Sequence, residues 1–87
     1  MATTMWEARA RDGRLADLLD WVAARVPAHA TVYRSAHGDP RVVVIDPAGF
    51  VADLLGDPPQ ELVARPPHSW DFEPVPRDAT QPRPDRV

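Results

Sequence analysis

The sequence has no cysteine, no lysine and no asparagine. Without thiols there can be no disulfide, no thiol nucleophile and no zinc site built on thiolates. No apolar run is longer than Val42-Val43-Val44-Ile45, far short of the roughly 20 residues that cross a bilayer as a helix. No charged-then-apolar segment opens the chain as a signal peptide would, so a cytoplasmic protein without a membrane partner is expected. The four glycines form neither a P-loop nor a dinucleotide fingerprint. Ser35 and Ser69 lack the flanking glycines of a hydrolase elbow.

What is there is arginine, aspartate, alanine and proline. All ten cations are arginines, and alanine and proline are abundant. These residues have G+C-rich codons, which points to a high-G+C, bacterial genome rather than to a role for the arginines. The net charge of −3, with Arg and Asp interleaved, builds no basic face, so nucleic acid is not expected as a partner. At 87 residues, 44% of them hydrophobic, the chain has room for a single small core.

The pattern along the chain predicts six elements. Thr3 to Arg11 alternates with period two around Trp6, Ala8 and Ala10, a half-buried strand closed by Asp12-Gly13. Leu15, Leu18, Leu19, Val22 and Val26 form one stripe of a helix over about Arg14 to Arg25, with Asp12 as its cap and Pro27 as its stop. Strands follow over His29 to Ser35 and Arg41 to Asp46. A short helix over Ala48 to Leu55 carries Phe50, Val51, Leu54 and Leu55 inward, and Gln60 to Ala64 adds a further turn. The last strand is His68 to Val75. This βαββαβ order predicts an α+β, ferredoxin-like sandwich over residues 1–76, with four antiparallel strands and both helices on one face. Residues 77–87 read as a flexible tail containing Pro and Arg.

Such a sheet has one bare face. With Trp6, Ala8, Ala10, Trp70 and Phe72 assigned to the helix side, the other side takes Met5, Glu7, Arg9, Thr31, Tyr33, Asp71 and Glu73. Arg9 is then expected to pair with Asp71 or Glu73 across strands. The valine run cannot place every member against the helices, so an apolar patch remains on the bare face, as at an interface.

The strand order, the opening Trp6-Glu7-Ala8-Arg9, the turn Gly13-Arg14-Leu15 and the closing His68-Ser69-Trp70-Asp71-Phe72 resemble the dimeric α/β-barrel superfamily. Within it the nearest likeness, over residues 3–76, is to small antibiotic-biosynthesis-monooxygenase-type domains. The resemblance implies a homodimer with sheets packed face to face and a ligand cavity between each sheet and its helices. It also implies cofactor-independent oxygenation of a hydrophobic aromatic substrate, without cofactor or metal. In that reading Trp6, Tyr33, Trp70 and Asp71 bind substrate, Arg9 stabilises an oxyanion and His68 transfers the proton. The chain lacks the Asn that better understood oxygenase members use, and Pro58-Pro59 cuts its second helix short. A non-catalytic dimeric ligand-binding or protein-interaction module therefore stands beside the enzyme reading.

Each candidate also has a plain structural use. His29, His37 and His68 show no paired metal-ligand spacing, so the first two read as loop residues and His68 as a strand-entry residue. Trp6 and Trp70 serve packing as readily as a pocket, and Trp21, at the edge of the helical stripe, is expected to bridge helix and sheet or meet a subunit. Asp71 and Glu73 serve a solvated strand face as readily as acid–base chemistry.

Overall fold

The computed structural model describes residues 2–77. Four strands, β1 (Thr3–Arg9), β2 (Thr31–Arg34), β3 (Arg41–Asp46) and β4 (His68–Phe72), alternate with helices α1 (Leu15–Ala23) and α2 (Val51–Leu55). The strands form one antiparallel sheet in the order β2-β3-β1-β4. This α+β arrangement is compatible with a ferredoxin-like sandwich. Residues 78–87, most of the expected tail, lie outside the described residues.

Alternation in β1 and β3 decides which side the helices cover. Trp6, Ala8, Val42 and Val44 point to one side and are at most 2% exposed. Leu18 and Val22 of α1 and Val51 and Leu55 of α2 join them in a single cluster, with Leu15, Leu19 and Val26 packed around it. The helical stripe read from the sequence is thus the face that α1 buries. Its cap differs from expectation. Asp12 makes no capping bond; Arg14 occupies the N-cap position and its Nε donates to Asp17 Oδ2 at 2.8 Å.

α2 is shorter than expected and buries only Val51 and Leu55, while Phe50 and Leu54 are 59% and 50% exposed. At about 100° per residue Val51 and Leu55 share the buried side of this turn, and Phe50 and Leu54 lie about 100° round from Val51 and Leu55 respectively, toward solvent. The stretch expected to form another helical turn makes a single hydrogen-bonded turn over residues 60–62, closed by the Leu62 amide on the Pro59 carbonyl at 2.9 Å, and then runs beside the end of β1. Val63 bridges Ala10, the Arg11 amide donates to the Leu62 carbonyl at 2.9 Å, and the Ala64 amide donates to the Arg9 carbonyl at 2.8 Å.

The link from β3 to α2 is held by Asp46, which is fully buried. Its carboxylate accepts hydrogen bonds from the amides of Ala48 and Phe50, each at 2.8 Å, and lies 2.6 Å from His29 Nε2. Gly49 completes this turn at φ +80°, where a Cβ would sit 2.9 Å from the Ala2 carbonyl oxygen. Both the left-handed backbone and the close approach exclude a larger residue there.

Candidate functional site

β4 corrects the assignment of faces. Its register against β1 pairs Thr4 with Asp71, Met5 with Trp70, Trp6 with Ser69 and Glu7 with His68. Residues opposite one another across strands point to the same side. His68, Trp70 and Phe72 therefore lie on the bare face with Met5 and Glu7, and Ser69 and Asp71 lie on the helix side. Trp6 and Trp70 occupy neighbouring strands on opposite faces, so they do not line one pocket. Asp71 is tied to Thr4, whose Oγ1 donates to Asp71 Oδ1 at 2.7 Å.

The bare face is built of cross-strand rows. One runs Thr31, Ile45, Met5, Trp70 and the next Tyr33, Val43, Glu7, His68. Tyr33, Trp70 and Phe72 are 54%, 43% and 52% exposed, so the face offers large apolar groups to solvent. The His68 and Trp70 rings lie 5.8 Å apart and tilted by 41°. Of the six residues expected at a site, Arg9, Tyr33, His68 and Trp70 share this face; Trp6 and Asp71 do not.

Glu7 sits amid these rows and is only 6% exposed. Arg65 Nη2 and Arg41 Nη1 approach its Oε2 to 3.6 and 3.8 Å, beyond hydrogen-bond reach, and that buried oxygen has no hydrogen-bond partner among the described residues. The next row places Arg9 opposite Arg41, a like-charge pair that would repel. Asp39, on the hairpin loop, lies between them: its Oδ1 is 3.3 Å from Arg9 Nη2 and its Oδ2 3.5 Å from Arg41 Nη2. Ser35 shapes that loop, donating from Oγ to the Asp39 carbonyl at 2.8 Å and accepting from the Arg41 amide at 3.0 Å. Arg9 is thus paired with Asp39 rather than with Asp71 or Glu73. β1 and β4 run antiparallel, so Arg9 lies at the opposite end of the pairing from Asp71.

Comparison with family models, with curated proteins and with solved structures finds no match. What the chain can bind has to be argued from its own surface.

Between sheet and helices, Trp6, Leu18, Val22, Val42, Val44 and Val51 fill the space, each at most 2% exposed. Two open hollows lie outside that layer. One, of about 390 Å³, is lined by Arg11, Gln60, Arg65 and Pro66 among others. The other, of about 480 Å³, is lined by Arg9, Ala10, Arg11, Asp12 and Ala64. Neither touches Tyr33, His68 or Trp70. Among the described residues no group of three or more His, Asp or Glu could hold a metal ion, and no helix is long and apolar enough to cross a membrane.

Sequence reasoning missed the grouping of Glu7, Arg41 and Arg65. A glutamate in mid-strand between Trp6 and Ala8 was the signal for it. Locating its partners required the β1–β3 register and the path of the segment before β4.

Proposed function

We propose that the protein is a small self-associating binding module that pairs with a second copy through its bare sheet face. The observation that carries this reading is the set of exposed Tyr33, Trp70 and Phe72 on one face with Met5, Val43 and Ile45, on a sheet whose other side is covered by the helices over β1 and β3. Four strands at about 4.8 Å spacing and five residues at about 3.3 Å rise give a footprint of roughly 19 by 16 Å, within the size range of functional patches. The charges on the face also suit a copy of itself, since Glu7 and Asp39 sit beside Arg9 and Arg41.

Light scattering at micromolar concentration is expected to give the mass of a dimer. Val43→Asp should weaken that dimer by about 10- to 100-fold, because burying an unpaired polar group costs about 1–3 kcal/mol. A monomeric wild type, or a Val43→Asp variant that dimerises as well as the wild type, would overturn the reading.

A second reading is favoured by the His68–Trp70 contact on the same face as Tyr33. It places a flat aromatic molecule between the two sheets, with His68 to move a proton as in the cofactor-independent monooxygenases that the sequence resembles. Oxygen uptake with quinol or anthrone-like compounds that disappears in His68→Ala separates it from simple binding.

A further inference from the structure

β4 is the most uncovered element of the fold. All five of its residues are exposed, on the helix side as well as on the bare side, and its outer edge has no strand beside it among the described residues. Edges of this kind recruit another strand unless they are short, charged with lysine, interrupted by proline or covered. The opposite edge, β2, has only four residues and ends on Arg34. β4 instead presents Trp70 and Phe72. Prolines lie only outside it, Pro66-Pro67 before and Pro74 after. A strand laid along this edge can therefore pair over residues 68–73 and no further, because proline cannot donate to the ladder.

That window is complementary to itself in one register. A two-fold axis perpendicular to the sheet runs two β4 strands antiparallel and keeps their bare faces on one side, so it pairs residues of equal parity. Centred on Asp71, it would set two carboxylates directly opposite each other, which is repulsive. Centred on Ser69, it would set Asp71 against the partner's Pro67, which has no amide proton. Centred on Trp70, it sets Trp70 against the partner's Trp70 and His68 against the partner's Phe72 on the bare face. On the helix side Ser69 then faces the partner's Asp71. Asp71 Oδ1 is already engaged by Thr4, which leaves its other oxygen to accept from the partner's Ser69. No like charges meet, and the five pairs over residues 68–72 fall between the prolines, with Glu73 facing the partner's Pro67 only at the two ends of the ladder.

We infer that β4 pairs antiparallel with the β4 of a second copy, centred on Trp70, to make a continuous eight-stranded sheet. This contact uses a different axis from the face-to-face packing proposed above, and the edge of β4 rather than the plane of the sheet, with Trp70 and Phe72 taking part in both. Either can form without the other.

The chain has no cysteine, so single thiols report without background. Chains carrying Ser69→Cys and chains carrying Asp71→Cys are mixed and treated with a one-carbon bis-thiosulfonate linker. Directly opposite Cβ atoms are about 4.5–5.5 Å apart and diagonal ones about 7–8 Å, so the mixture should cross-link and neither variant alone should do so comparably. Both positions lie on the helix side, where face-to-face packing cannot bring them together. Adding Val43→Asp to both chains should leave the cross-link in place. Adding Trp70→Lys should abolish it by setting two ammonium groups opposite each other. Cross-linking in the mixture no faster than in Ser69→Cys alone, or insensitive to Trp70→Lys, overturns the edge pairing and leaves the face-to-face reading to its own test.

Discussion

Trp6→Ala is expected to lower the melting temperature by about 15–30 °C, enough to leave much of the protein unfolded at 37 °C. Trp6 is 2% exposed and lies on the covered side of β1, against the cluster that includes Leu18, Val22 and Val44. Removing a buried aromatic of this size costs about 3–5 kcal/mol, through lost transfer energy and the cavity left behind. A domain of this length has only about 5–10 kcal/mol to lose, and each kcal/mol moves its melting point by about 4–8 °C. Trp70→Ala is the contrast. Its side chain is 43% exposed on the other face, so intrachain packing loses little. Any loss it causes should grow with protein concentration, because it comes from association. Thermal melts followed by circular dichroism, at two concentrations, check both. Equal and concentration-independent losses in the two variants would refute the separation of the two tryptophans onto opposite faces.

Asp46→Ala is expected to cost about 2–4 kcal/mol, since it takes a fully buried, charged acceptor away from the amides of Ala48 and Phe50 and from His29. The same carboxylate makes stability depend on acidity. Burial alone would raise its pKa. Hydrogen bonds from the Ala48 and Phe50 amides and from His29, with the attraction of the imidazolium, outweigh that and hold it below the ordinary aspartate value of 3.8. A group whose folded pKa is depressed stabilises the fold fully above its unfolded value, and that contribution is lost as pH falls through the folded value. Asp46→Asn does not titrate there. The gap in urea midpoint between wild type and Asp46→Asn should therefore be fully present at about pH 5 and shrink as pH falls from there to about 2. A gap independent of pH would show that the carboxylate is no stronger an acid in the folded chain than in the unfolded one.

β3 and the stripe of α1 were legible in the sequence because each is a local pattern: an unbroken β-branched run, and apolar residues at helical spacing. The face occupied by Trp70 and Phe72 was not. Alternation separates the two sides of a strand but does not say which side is covered. Apolar residues were assigned inward, yet α2 is only one turn long and the helix layer does not reach β4. Phe50 and Leu54, expected inward on their apolar character alone, are exposed. The Arg9 pairing failed because it depended on the β1–β4 register, which sets Asp71 opposite Thr4, at the far end of β1 from Arg9. Asp46 had a local signature that went unused: a lone carboxylate ending a valine run, followed by Pro47-Ala48-Gly49, as in a side-chain-capped turn. Glu7 and its arginines are brought together only by strand register and by the loop carrying Arg65.

The position of β1 in the sheet bears on how the chain acquires its fold. β1, the earliest of the four strands along the chain, is an inner one, and its neighbours are β3 and β4, the latter more than sixty residues away. The β2–β3 hairpin can close early, on the scale of about 1–10 μs. β1 must wait for distant partners, and pairing across such separations slows folding toward the millisecond-to-second range. On the ribosome, Trp6 stays without its full surroundings until β4 has emerged, so the sheet cannot be completed by the β1–β3 portion of the chain alone.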